Sequence, residues 1–486
     1  MRLLGKLFWR SIRHLAAICV CAYFSTYGAE APASLDGTTG AESEAKAQDD
    51  GKDSGSTDGK ANSKKLGIQT ATLANGMKVI VLPTSTKGVV SMCVGYFVGS
   101  ADDPRNVVGI SHLLEHMMFK GTTTISGEDL KELLFTYNKD SGAFTGFDIT
   151  VFEATCSRDL MERNLKIEAD RMVNLKLTKD DIDREKNVVI EERKLTTESN
   201  PITNYMQEAA WRAMYLHSTY SYPLVGYLDQ INACDEAALR AHYDRYYVPN
   251  NAFVLVVGDI TLDEAVEKAQ KCFGSIPAGD DPRRSRVIDP EDTGLRFNID
   301  RESPQISVHN LNIIYTIKRK LISDFRKLMV VDMMVDILAC GESSVLYQQI
   351  VDKEELAFTL SAYLDVRAFD KARVNIASVA RDAKKVDVID KRISEIIAEF
   401  PKTLTREKVE REKQKYLDQI SMVLDNSHSA MMFVLEYLIN GYDVGDLDKA
   451  RDVISSITFE EVVEAAKAVF NPKNRSMRIL SHPARG

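Results

Sequence analysis

One ten-residue frame occurs twice in this chain. Leu177-Thr-Lys-Asp-Asp-Ile-Asp-Arg-Glu-Lys186 reappears as Leu404-Thr-Arg-Glu-Lys-Val-Glu-Arg-Glu-Lys413. A second pair follows in the same order: Tyr246-Tyr-Val-Pro-Asn-Asn-Ala-Phe-Val-Leu255 and Val469-Phe-Asn-Pro-Lys-Asn-Arg-Ser-Met-Arg478. Their offsets, 227 and 223 residues, are nearly equal, so a whole domain has been duplicated. At 486 residues the chain is too long for one ordinary core, and two domains accommodate it. The halves run over 67–277 and 295–486, joined by a linker at 278–294 with proline and glycine at both ends.

Each half mixes strand and helix signals, which makes the fold class α+β, two homologous α/β sandwich domains. In the first half, Asn75-Gly76 between two β-rich runs is a hairpin signal, and Val89–Val98 follows as a strand. Asp103-Pro104 reads as an N-cap and first turn, and Gly121 as a stop, which predicts one helix over 104–120. A charged helix over about 127–137 comes next, then a single alternating strand over 143–156. Asn251–Val257 closes the unit as a buried strand and Leu262–Phe273 as a helix.

Residues 1–33 read as an export signal: Arg2, Lys6, Arg10 and Arg13 precede the apolar run Leu15–Phe24, and small residues end near Ala33. This predicts a periplasmic or secreted protein. An uncleaved membrane anchor is one alternative, for which ten apolar residues fall short of the roughly 20 that span a bilayer. A mitochondrial presequence leading to the matrix is another. Residues 34–66 hold Leu35 as their one large apolar side chain until Leu66 and predict a disordered tether. Past the signal, Cys93, Cys156, Cys234, Cys272 and Cys340 show no C-x-x-C spacing and do not read as a disulfide framework or a zinc knuckle, while a single pair stays open in an oxidising compartment. A net charge of −9 without any basic cluster excludes nucleic acid as the main partner.

The chemistry is concentrated in His112-Leu-Leu-Glu-His116. On a helix, Ile110, Leu113, Leu114 and Met117 form a buried stripe. His112 and His116, four apart, project from one face a turn apart, where two imidazoles can grip one Zn2+. Glu115 lies too far round to be the third ligand but can act as general base toward a water. Thr178 and Asp181 start a second helix, from Lys179 to about Thr197, on which Glu185, Val189 and Glu192 fall at i, i+4 and i+7. Glu192 can therefore be the third ligand and Glu185 can orient a histidine. In the second half no H-x-x-E-H occurs, and Gln419 stands where Glu192 does in the first. Only the first half is built for a metal.

H-x-x-E-H, followed 76 residues later by the glutamate of R-E-x-x-V-[IV]-x-E-E, resembles the pitrilysin/insulinase family of zinc peptidases, which includes the mitochondrial processing peptidase. The resemblance covers about 67–486. It implies one Zn2+ per chain on His112, His116 and Glu192, Glu115 as catalytic base and Glu185 as outer carboxylate. It also implies that the two domains form half of a clam-shell chamber admitting extended or unfolded peptides. Ser141-Gly-Ala-Phe-Thr-Gly-Phe-Asp148 resembles the family's edge strand, so Ala143, Phe144 and Thr145 are expected to receive substrate by β-augmentation. The family usually has Asn where this chain has Gly142.

The second-half segment Cys340–Phe358 resembles one that carries an arginine and a tyrosine supporting substrate and transition state. Here those positions are Val351 and Phe358, which donate no hydrogen bond. The expectation is a heterodimer with a homologous subunit that keeps the Arg/Tyr pair, with a homodimer as the alternative. A presequence-processing subunit and a non-catalytic structural subunit of the same fold are the alternative functions.

Overall fold

The computed structural model describes residues 65–198, 205–280, 286–291 and 294–484. The expected export signal and the expected tether, except Lys65 and Leu66, lie outside them.

The first half builds a six-stranded sheet from β1 (Gln69–Thr72), β2 (Lys78–Pro83), β3 (Val89–Tyr96), β4 (Asp140–Thr145), β5 (Thr150–Ser157) and β6 (Ala252–Gly258). Their order is β1-β2-β6-β3-β5-β4, with β2 and β6 parallel and every other pair antiparallel. The second half uses β7 (Phe297–Ser303), β8 (His309–Ile317), β9 (Ala357–Asp365), β10 (Ala372–Ala380) and β11 (Arg475–Pro483) in the order β7-β11-β8-β10-β9. Again only one pair, β7 and β11, is parallel. Counted from β2, both halves place their strands first-fifth-second-fourth-third. The duplication read from two short frames is thus repeated across the whole sheet, and β1 is an addition to the first copy.

The helices of eight or more residues are α1 (Ile110–Met117), α2 (Gly127–Phe135), α3 (Met161–Val173), α4 (Lys179–Arg193), α5 (Glu236–Tyr246), α6 (Leu262–Phe273), α7 (Phe325–Ala339), α8 (Val386–Thr403), α9 (Arg406–Leu424), α10 (Ser427–Ile439) and α11 (Phe459–Val469). The repeated frame begins α4 and α9 in the same way: Thr178 and Thr405 each accept from the backbone N–H three residues on. Such a cap replaces one of the hydrogen bonds that a first turn lacks and is worth about 1 kcal/mol.

Both faces of the first sheet are covered. Val79, Val81, Met92, Val94, Phe152, Val254 and Val256 pack against the first half's own helices. Ile80, Leu82, Cys93, Val151, Phe253, Leu255 and Val257 share a core with the second half, whose α10 lies on β3 and β6. All seven residues of β6 are consequently buried, as its uninterrupted apolar run requires. Ser91 Oγ meets Ser427 Oγ at 2.9 Å within this seam. The linker is held too: Arg286 pairs with Asp102 and Asp148, each at 2.8 Å, and Asp289 Oδ1 accepts from His217 N–H.

The structure changes one strand reading. Residues 143–156 are not a single strand but the β4–β5 hairpin, with Gly142 opposite Glu153 and Thr145 opposite Thr150. The period-2 alternation continued through Gly146–Ile149, where the chain turns. No disulfide joins the five cysteines past the signal, and no described helix is long and apolar enough to cross a membrane.

Candidate metal centre

α1 carries the centre, and its start is unlike the expected one. Residues 104–109 are not helical, and the helix begins after Gly109, whose φ of +100° is left-handed. A side chain on Gly109 would also meet the Val225 carbonyl oxygen at 2.4 Å, so glycine is required twice over. Asp103 still caps α1, but across the loop: Oδ2 accepts from Gly109 N–H at 2.6 Å, and Oδ1 accepts from Ser111 N–H and Oγ–H. Burial pushes the Asp103 carboxyl up to about 7 against the pull of those bonds. Ile110, Leu113, Leu114 and Met117 have no exposed surface, which fixes the rotation of the helix and aims His112 and His116 toward α4.

His112 Nε2 lies 3.8 Å and His116 Nε2 3.4 Å from the same oxygen, Glu192 Oε2. All three donor atoms fall within 4.8 Å of one another, and they form the one such group among the described residues. A tetrahedral ion with bonds of about 2.0–2.1 Å needs ligand atoms about 3.4 Å apart. The residues therefore fit zinc in number, type and spacing, and three ligands leave the fourth tetrahedral position without a protein donor in the set. The electrostatics agree. Burial pushes His112 down. It opposes ionisation of His116 as well, yet bonds to Glu185 and Glu192 carry that ring up to about 10. The two carboxylates that favour a charged imidazole here would favour a divalent cation held by the same rings.

Glu185, two turns before Glu192 on α4, brings Oε2 to 3.2 Å from His116 Nδ1 and is also paired with Lys120. Burial raises its carboxyl, and His116 and Lys120 outweigh that, holding it below the usual range. An acceptor at Nδ1 fixes the tautomer that leaves Nε2 free to ligate. His112 Nδ1 is buried with no partner. Glu115 is buried beside the pair of histidines, and its Oε2 accepts from Thr145 Oγ1 at 2.5 Å.

The model for the family described as "Insulinase (Peptidase family M16)" matches residues 78–226, and that for "Peptidase M16 inactive domain" matches 233–416. This chain belongs to the M16 insulinase family. It is a zinc-dependent peptidase, a hydrolase of peptide bonds, made of two M16-type domains that match one half of the family's clam-shell. The second matched region begins before the linker, although β6 and α6 belong to the first half's layers. Zinc protease PqqE of Helicobacter pylori is 26% identical over 407 residues, covering 83% of this chain and 90% of that one. The crystal structure of a protease from the same organism superposes with a TM-score of 0.78 at 23% identity, over 86% of this chain and 100% of that one. The periplasmic protease PqqL of Escherichia coli gives a TM-score of 0.69 at 19% identity and is matched over 48% of its length, so this chain corresponds to half of it.

The insulinase-family residues named from sequence fall in two places. His112, Glu115, His116, Glu185 and Glu192 come together, and Ala143, Phe144 and Thr145 stand on β4, the sheet edge beside them. Val351 and Phe358 lie in the second half. Val351 is packed into its core at 7% exposure, so this position presents no side chain to solvent. Phe358, on β9, is 56% exposed with the Arg381 guanidinium 5.0 Å from its ring. Sequence reasoning missed Lys120 as a partner of Glu185, although its i+4 spacing from His116 put it on the right face. It also missed the Thr145 bond to Glu115, for which no local pattern exists.

Proposed function

We propose that the protein is an endopeptidase for extended or unfolded chains, working with one zinc ion per chain held by His112, His116 and Glu192. When bound, zinc supplies a Lewis acid that polarises the scissile carbonyl and acidifies a water. Glu115 takes the water's proton at Oε1 and passes it to the leaving amine, while the Thr145 hydroxyl holds Oε2 in place. Glu185 keeps the His116 proton on Nδ1. The outer side of β4, the last strand of its sheet, pairs with the substrate backbone, which gives affinity with little demand on sequence and none for folded structure.

The observation that carries this reading is the Thr145–Glu115 bond. It ties the base to the strand on which substrate would lie, so that a chain on β4 is brought to the donor cluster by the same element that orients the proton acceptor. The test is a pair of variants. Glu115→Gln should keep its zinc and lose turnover of an unstructured peptide by more than about a hundredfold. Glu192→Gln should lose zinc. Equal zinc loss in both would overturn the roles.

The partner we propose is a homologous subunit carrying the Arg/Tyr pair. Val351 and Phe358 lack donors, and loss of one donor to a developing oxyanion costs about 2.7–4 kcal/mol. A homodimer is the other outcome, with Arg381 beside Phe358 as the guanidinium on that edge. Turnover of the chain expressed alone, with and without such a homologue, separates the two. The basic and then apolar run over 2–24, together with a relative described as periplasmic, supports export to the periplasm.

A further inference from the structure

The substrate edge has an unusual neighbour. On β4, Gly142 stands directly opposite Glu153 of β5. The Glu153 side chain reaches over the glycine: a Cβ built on Gly142 would lie 3.3 Å from Glu153 Oε1, and no other residue comes within 4 Å of it. Glu153 Oε2 is buried and has no hydrogen-bond partner. Asp140, exposed and on the same face of β4, adds negative charge next to it. Burial first and Asp140 second push the Glu153 carboxyl up to about 7. A buried carboxylate oxygen without a partner is costly, and it persists here one strand in from the open edge of the sheet.

Resting on the peptidase reading above, we propose that Gly142 and Glu153 form a subsite selecting a basic side chain, lysine or arginine, on the peptide laid along β4. A strand added to β4 would run about 4.8 Å beyond it, with the side chain opposite Gly142 on the face that carries Glu153. The missing Cβ leaves a passage over the glycine. A long cationic side chain can cross that one strand width and meet the carboxylate, and a short or anionic one cannot. Any side chain at 142 closes the passage.

The experiment uses the zinc-loaded, full-length mature protein and unstructured peptides that are identical except at one position at a time, which carries lysine, norleucine or glutamate. At one position near the scissile bond, lysine should be preferred over norleucine by about tenfold or more in kcat/KM, as a charge-assisted bond to a desolvated carboxylate implies. Glutamate should be the poorest there. Glu153→Gln should bring the lysine/norleucine ratio at that position close to one, and Gly142→Asn should lower the same ratio. Kd values for the same peptides on zinc-loaded Glu115→Gln protein should show the same preference without any turnover. Absence of a lysine preference at every position, or a ratio unchanged in Glu153→Gln, overturns the subsite. If lysine peptides bind selectively and none is cut by the wild type, the peptidase reading fails and the subsite stands. If norleucine peptides are cut and no preference exists, the reverse holds.

Discussion

Replacing Glu185 isolates what an outer carboxylate contributes to the metal. Its Oε2 lies 3.2 Å from His116 Nδ1, it is 5% exposed, and its other main partner is Lys120. With the metal bound, the Nδ1 proton faces a charged acceptor. Glu185→Gln keeps an acceptor but halves the strength of a bond worth about 1.5–3 kcal/mol, which predicts a loss of roughly 0.8–1.5 kcal/mol, or about four- to twelvefold in zinc affinity. Glu185→Ala also strands a buried ring N–H and the Lys120 ammonium, and the loss should approach a hundredfold. Zinc Kd by competition with a chelating dye at pH 7.5 reads both, and the melting temperature of the metal-free variants shows whether the fold is intact. Lys120→Met serves as the control for the ion pair alone and should shift Kd by less than either. The reasoning would be falsified if Glu185→Ala bound zinc within twofold of the wild type, or if Lys120→Met weakened it as much.

Two further outcomes concern the scaffold. Asp103 is raised to about 7 in the folded state, so its folded form holds a proton that the unfolded form gives up near 3.8. Its contribution is complete below about pH 4 and is lost as pH rises through 7. Asp103→Asn keeps one acceptor oxygen, for Gly109 or for Ser111 but not both, and lacks that part of the slope, so in urea unfolding the wild type should lose stability relative to the variant as pH rises from 4 to 8. Leu113→Ala, in the wholly buried stripe of α1, should cost about 2–5 kcal/mol and weaken zinc binding with it, read by thermal unfolding with and without zinc.

The sequence carried most of the centre because its ligands obey helical periodicity. His112 and His116 share a face of α1, Glu185 and Glu192 share a face of α4, and neither inference needed the tertiary fold. The errors arose where a local signal was satisfied from a distance. Asp103 has the chemistry of an N-cap and does cap α1, but six residues further on than adjacency suggested, because the loop 104–109 folds back to it. Alternation was read through the β4–β5 turn because apolar and polar residues go on alternating across Gly146–Ile149 while the chain reverses. Contacts between elements, such as Thr145 with Glu115 or Lys120 with Glu185, follow from how helices seat on the sheet. The long apolar run of β6 announced that both its faces are buried, but not that α10 of the other half supplies one cover.

That cover has a consequence during synthesis. The first sheet is complete once β6 has emerged, but Ile80, Leu82, Phe253, Leu255 and Val257 wait for α10, which is made about 180 residues later. At ordinary translation rates that is about 10–40 seconds with a greasy slab facing water. A ribosome-bound nascent chain therefore passes through its stickiest state after its metal-binding residues have been made and before its shape is finished, and a chaperone that grips apolar β-surface has that interval in which to act.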